Sequence, residues 1–120
     1  MSKVSSEAME RYVLTAQRRE KERSLKLQKL RAQGIEVAKA AAKILKSDFE
    51  ADRVIVFGSL LDEGFHETSD IDLAIWNLPE KAYFKAVGQL NSLSDFDVDL
   101  VEVQYASPEI LAAIAQGLEL

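Results

Sequence analysis

The chain has 120 residues and a mass of 13.4 kDa, enough for one domain with a single core but not for a catalytic domain and a separate substrate domain. It contains no cysteine, which excludes disulfides and thiolate metal sites. No apolar run approaches the roughly 18 residues of a membrane span and the N-terminus lacks a secretory signal, so we expect a cytoplasmic protein.

The net charge of −5 is unevenly distributed. Residues 1–34 hold nine Lys/Arg and four Asp/Glu, whereas residues 35–120 hold six Lys/Arg and sixteen Asp/Glu. An acidic body argues against a broad nucleic-acid surface, although the basic arm keeps nucleic-acid binding open. The two parts of the chain are therefore expected to contact different partners or each other.

A long helix is predicted from about Glu7 towards Lys46, with Ser5 or Ser6 as its N-cap. Gly34 is a candidate break or kink within it. We therefore divide the chain into a basic N-terminal helical arm, residues 1–34, and a domain, residues 35–120. The middle of the arm is polar on nearly every face, which is typical of a helix that bridges solvent, docks on a charged surface or frays.

After residue 48 the pattern changes to three short β-rich segments at 53–57, 71–76 and 97–103. A helix is predicted to begin at Pro79. Its apolar residues at core spacing are Tyr83, Phe84, Val87, Leu90 and Leu93. A last helix is predicted from about Pro108 to Gln116, with Ser107 before it and Gly117 after it.

Carboxylates cluster on one face of two predicted strands. Side chains alternate across a strand, so Asp70 and Asp72 share a face, and so do Asp97 and Asp99. Half-buried carboxylates that approach one another repel and lose hydration, and a divalent cation removes that conflict. Oxygen-only ligation fits Mg²⁺ or Mn²⁺, which add water and phosphate oxygens. Spacing alone does not separate Asp97 from Asp99 as the third ligand.

Gly58 and Ser59 supply a second element of this predicted site. They follow an apolar strand and precede two leucines, as if the strand turned sharply into a short helix. Free backbone N–H groups and a serine hydroxyl at such a turn can hold a phosphate. The sequence therefore predicts phosphate, metal and carboxylates in one cleft.

The combined pattern resembles the minimal nucleotidyltransferases of the DNA polymerase β superfamily. Gly58-Ser59, a spacer of ten residues, Asp70-Ile71-Asp72 and Asp99 on a later strand match the motif of that family. The resemblance covers about residues 38–120 and leaves the arm outside. It implies an α+β, polymerase β-like fold: a short mixed sheet flanked by helices, here with a long N-terminal helical arm.

The resemblance also implies the chemistry. A nucleoside monophosphate would pass from an NTP, with ATP the expected nucleotide, to a hydroxyl, and two metal ions would lie between Asp70, Asp72 and Asp99. Asp70 and Asp72 would ligate both ions, and Asp99 would share the ion that activates the acceptor and take its proton. Gly58 and Ser59 would position the β and γ phosphates.

Three functions follow from the resemblance. The leading one is an antitoxin that adenylylates a tyrosine of a HEPN toxin partner, because minimal members are often paired with such a protein. The second is transfer to a small molecule such as an aminoglycoside, with a homodimer completing the site. The third is a non-catalytic, partner-binding domain, because Leu61, Asp62 and Glu63 stand where family members commonly carry Ala-Arg-Gly.

Other candidate residues receive structural interpretations. His66 lies in a polar loop without a nucleophile partner and is expected to be an exposed loop residue. Trp76 is expected to pack in the core or at a sheet edge rather than to stack on a nucleobase. The arm is expected to dock on a second copy, forming a homo-oligomer, or on the HEPN partner.

Overall fold

The computed structural model describes residues 6–120, which form three α-helices and four β-strands. Short 3-10 turns connect several of these elements. In chain order the elements are α1 (Ser6–Asp48), β1 (Arg53–Phe57), a 3-10 turn (Gly58–Leu61), β2 (Ile71–Trp76), a 3-10 turn (Glu80–Ala82), α2 (Tyr83–Asn91), β3 (Val98–Glu102), a 3-10 turn (Val103–Tyr105), α3 (Pro108–Ala115) and β4 (Leu118–Glu119). The predicted cap residue Ser5 lies outside the described residues.

The four strands form one mixed sheet in the order β3-β2-β1-β4. β1 pairs antiparallel with both β2 and β4, while β2 and β3 run parallel. The predicted strands at 53–57 and 71–76 are confirmed to the residue, and the third is shorter than predicted by one residue at each end. β4 was not predicted, because two residues after a helix-ending Gly117 carry no strand periodicity.

The two faces of the sheet have different neighbours. Alternate residues such as Val56, Leu73 and Leu100 pack with α1 and α2 in the main core. The intervening residues Ile55 and Ala74 form a smaller cluster with Ile114 of α3. α3 begins as predicted, because the Oγ of its N-cap Ser107 accepts a hydrogen bond from the N–H of Ile110 at 3.3 Å. The smaller cluster lies on the face that also carries the carboxylates.

α1 is buried only along its second half. Its core residues there are small or apolar, namely Ala38, Ala41, Ala42 and Leu45. Every residue from 6 to 26 is exposed, and the molecule measures 73 × 29 × 19 Å because this helix extends beyond the domain. We call residues 6–26 the projecting segment.

The helices correct two predictions. α1 continues through Gly34, so no break occurs there. Gly34 instead allows α1 to lie close to Leu60, since a Cβ at this position would lie 2.5 Å from Cδ1 of that residue. In α2 the buried residues are Ala86 and Leu90, while Phe84, which was expected in the core, is 86% exposed. At about 100° per residue, Phe84 lies on a different side of α2 from Ala86 and Leu90, which face the core.

None of the helices among residues 6–120 combines the length and hydropathy that crossing a bilayer requires.

Candidate active site

Gly58 joins the first strand to the carboxylates. It opens the 3-10 turn that follows β1, as the sequence predicted, with a φ of +81° that favours glycine. The last residue of β1, Phe57, pairs with Asp72 of β2. A Cβ at Gly58 would overlap Oδ2 of Asp72 and lie 3.4 Å from its Cγ. Only glycine therefore allows this turn to approach the carboxylate so closely, with Ser59 next in the chain.

The parallel pairing of β2 and β3 brings two of the predicted site residues together. Asp72 and Asp99 are directly opposite each other in the register, on the face that also carries Ala74 and Val101. Asp70 immediately precedes β2 and is exposed, as is Asp99, whereas Asp72 is partly buried. The two strands thus hold a carboxylate pair beside the turn that begins at Gly58.

The electrostatics of Asp72 show the consequence of this arrangement. Burial raises the pKa of Asp72 from 3.8 to about 6, and the negative charges of Asp99 and then Asp70 add to the effect. All three predicted carboxylates therefore interact in the structure. Their mutual repulsion is unfavourable unless a proton or a cation joins them.

Asp97 lies on the same side of the chain as Asp99 but has a different environment. It precedes β3, it is exposed, and its backbone carbonyl accepts a hydrogen bond from the N–H of Ile71 at 2.9 Å. It is not among the groups that raise the pKa of Asp72. The geometry thus places Asp99, rather than Asp97, beside Asp72.

The donor set fits Mg²⁺ or Mn²⁺ in its chemistry, because it consists of carboxylate oxygens with excess negative charge. Within residues 6–120, however, no group of three or more His, Cys, Asp or Glu side chains is arranged to hold a metal ion. Mg²⁺ is commonly bound by one or two carboxylates, with waters and substrate phosphates as the remaining ligands. The pair Asp72 and Asp99 matches this mode better than a cage made of protein atoms alone.

The segment between the turn and Asp70 contains the departure from the family motif. Asp62 and Glu63 are exposed, and Oδ1 of Asp62 accepts a hydrogen bond from the N–H of Gly64 at 2.7 Å. His66 is exposed as predicted, with Nδ1 2.9 Å from Oγ1 of Thr68. The carboxylate of Asp62 therefore stabilises its own turn.

The sequence analysis did not identify a cation that lies next to the 3-10 turn Gly58–Leu61. Nε of Arg31, on α1, donates to the carbonyl oxygen of Leu60 at 3.1 Å in a partly buried contact. Lys26 forms an exposed ion pair of 3.7 Å with Glu67 in the same connecting segment. The signal was an arginine flanked by Leu30 and Gly34 on the core side of the helix.

Trp76 lies at the far end of β2 from Asp72. It packs against the smaller cluster, and the guanidinium of Arg53 lies 4.8 Å from the centre of its ring. The packing interpretation of Trp76 is thus confirmed.

Comparison with known families agrees with the fold and the motif. The family model described as polymerase beta, nucleotidyltransferase, matches residues 39–120. The chain belongs to this family. The match leaves most of α1, including the projecting segment, outside the shared domain. No curated protein sequence gives a significant match.

Solved structures narrow the type of nucleotidyltransferase. A mutant of the MntA-HpeT toxin-antitoxin is similar with 30% identity and a TM-score of 0.57, over 68% of this chain and 69% of that one. A toxin-antitoxin with AMP-PNP gives 29% identity and a TM-score of 0.56, over 65% and 67%. A tri-AMPylated Shewanella oneidensis HEPN toxin in complex with MNT antitoxin gives 25% and 0.54, over 72% and 70%. The structural neighbours are thus of the MNT antitoxin type, and the predicted α+β fold is confirmed.

Proposed function

We propose that the protein is a metal-dependent nucleotidyltransferase that moves AMP from ATP to a tyrosine hydroxyl of a HEPN-type partner, as an antitoxin in the cytoplasm. The observation that carries this proposal is the direct pairing of Asp72 with Asp99, next to a Gly58 that has no room for a side chain. The similar structures with AMP-PNP and with an AMPylated HEPN toxin support the choice of nucleotide and partner.

Each site residue has a role in this proposal. Asp70, Asp72 and Asp99 would hold two Mg²⁺ or Mn²⁺ ions, which supply charge neutralisation on the phosphates and activation of the acceptor hydroxyl. The backbone N–H groups that follow Gly58 and the hydroxyl of Ser59 donate to the β and γ phosphates. Asp99 accepts the proton of the tyrosine hydroxyl. The bond from the acceptor oxygen to the α phosphorus forms, the bond from that phosphorus to the β-phosphate oxygen breaks, and pyrophosphate leaves.

The test incubates the purified protein with labelled ATP, Mg²⁺ and a HEPN-type protein encoded in the neighbouring reading frame. We expect label on the HEPN protein and none when its tyrosines are replaced by phenylalanine. GTP, CTP and UTP serve as nucleotide controls. Label on an aminoglycoside but not on the protein would instead support a small-molecule transferase.

A non-catalytic binding domain is the second candidate, and the exposed Asp62 and Glu63 favour it. These carboxylates would repel the outer phosphates of an NTP, and one such contact is worth on the order of 1 kcal/mol in a hydrated cleft. Titration calorimetry with Mg-ATP separates the two candidates. Binding of the HEPN partner without ATP binding or transfer would replace the catalytic proposal with this one.

A further inference from the structure

An apolar stripe runs along α1, and its members in the projecting segment are not covered by the rest of the described chain. Met9 is 60% exposed and Val13 is 47% exposed, and Tyr12 lies beside them. The pattern extends further along α1 at alternating intervals of four and three residues. Its members are the apolar Met9, Val13, Ala16, Leu27 and Leu30, the charged Glu20 and Arg23, and Gly34.

This stripe is continuous with the face of α1 that packs on the domain. Leu27 and Leu30 pack at the margin of the main core, and Gly34 is buried against Leu60 and Phe65. Intervals of four and three residues keep side chains on one side of a helix and are typical of helices that pair with another helix. Met9 and Val13 therefore belong to the pattern of a packed helix, yet both are exposed in the described part of the chain.

We propose that the projecting segment pairs with the same segment of a second copy of this chain, as two antiparallel helices. The partner helix must stay on the outer part of α1, because Leu60 and Phe65 already cover Gly34. A two-fold axis at the level of Leu14 and Thr15 keeps the contact between the two helices within the outer part of α1. It places Val13 against the second copy's Ala16.

The charges of the segment determine the orientation. Residues 6–10 contain two Glu and no base, whereas residues 18–26 contain five Lys/Arg and two Glu. Antiparallel pairing brings the acidic end of each helix to the basic end of the other. Parallel pairing would instead place Glu20 beside Glu20 and Arg23 beside Arg23. The antiparallel arrangement also opposes the two helix dipoles.

The two-fold axis also places two charged side chains, Glu20 and Arg19, against the second copy. The methylene groups of Glu20 cover the second copy's Met9, while the carboxylate stays in water. Arg19 comes next to the second copy's Tyr12, where a guanidinium and an aromatic ring attract each other. A second copy fits better than the partner of the shared domain because the segment lies outside residues 39–120, which the family shares. The inference therefore does not depend on the proposed catalytic activity.

The oligomeric state of the full-length protein provides the first test. Sedimentation equilibrium should give a dimer for the wild type, and Val13→Glu should weaken self-association about tenfold or more by placing a charge between the helices. The matched control is Leu14→Glu, since Leu14 is 61% exposed and lies outside the stripe, about 100° around the helix from Val13. The control should remain dimeric, and circular dichroism should show unchanged helix content in both variants. A monomeric wild type, or equal effects of the two substitutions, would overturn the proposal.

Cross-linking tests the orientation, and the absence of native cysteine makes it specific. A mixture of the full-length Met9→Cys and Glu20→Cys proteins should form a disulfide-linked heterodimer on mild oxidation. The Met9→Cys protein alone should form much less. Efficient linkage of Met9→Cys to itself would show parallel pairing and contradict the proposal. Protection of the segment only after a HEPN protein is added would assign this surface to that partner instead.

Discussion

The two halves of α1 follow one residue pattern but have different environments. In the inner half, residues 27–48, Ala38, Ala41 and Leu45 are fully buried, and the small volumes of the two alanines bring the helix close to the sheet. In the outer half, which contains the projecting segment, Met9 and Val13 lie on the same side of the helix as these residues but are exposed. The comparison shows that helix periodicity identifies the face that packs, whereas the length of the domain decides how much of that face is covered by the same chain.

The largest expected difference between the halves is in stability. Leu45→Ala should lower the free energy of unfolding by about 3 kcal/mol, because it removes a fully buried side chain and leaves a cavity. The matched substitution Leu14→Ala, on the exposed outer half, should change it by less than about 0.5 kcal/mol. Urea unfolding of both variants measures the difference. Similar losses in the two variants would mean that the outer half packs as tightly as the inner half.

The next effect concerns the turn that the inner half supports. Gly58→Ala should destabilise the protein by about 2 kcal/mol and abolish nucleotidyl transfer, because the new methyl group meets Asp72 at a positive φ. Gly88→Ala is the matched control. Gly88 lies in α2, and a Cβ added there would meet no atom within 4 Å, so the substitution should stabilise the helix by about 0.5 to 1 kcal/mol. An active, stable Gly58→Ala protein would show that the turn does not approach the carboxylate.

The third effect is the pH dependence of the contribution that Asp72 makes to the stability of the fold. Its folded pKa of about 6 exceeds the ordinary value of 3.8, so its protonation stabilises the fold below about pH 4 and this stabilisation is lost as the pH rises through 6. Without metal, Asp72→Asn should therefore be more stable than wild type near pH 8, on the order of 1 kcal/mol, and lose that advantage near pH 4.

Thermal melts with EDTA and with Mg²⁺ measure this effect. Mg²⁺ should raise the wild-type melting temperature near pH 8 and should have little effect on the Asp72→Asn protein. An advantage of the Asn variant that grows towards low pH would have the wrong sign for this explanation.

The smallest effect is expected at the link between α1 and the turn. Arg31→Gln should cost about 1 kcal/mol or less, because it removes the hydrogen bond to Leu60. Lys29→Gln, an exposed neighbour on the same helix, should cost nothing measurable. If the hydrogen bond positions the turn, the Arg31 variant should also raise the KM for ATP more than it lowers kcat. Equal KM values would limit Arg31 to a structural role.

The sequence predicted most of the fold and the approach of Asp70 and Asp99 to Asp72. Two strands, the turn at Gly58 and the start of α3 follow from local patterns, and so the structure reproduces them. The features that the sequence did not predict depend on contacts between residues far apart in the chain. From the sequence, Gly34 predicts a helix break, whereas in the structure α1 continues and Leu60 packs against this glycine. The strand β4 is defined by its pairing with β1. Neither the contact of Arg31 with Leu60 nor the exposure of Phe84 is encoded in a short window of residues.

The most direct test of the central claim compares Asp99→Asn with Asp97→Asn in the transfer of AMP to the HEPN partner. Both substitutions remove one exposed carboxylate from the same side of the chain, but only Asp99 lies opposite Asp72 in the sheet. We expect Asp99→Asn to lower the initial rate by about a hundredfold or more, while Asp97→Asn stays within about threefold of wild type. Equal rates for the two variants, or a larger loss in Asp97→Asn, would contradict the assignment of the site.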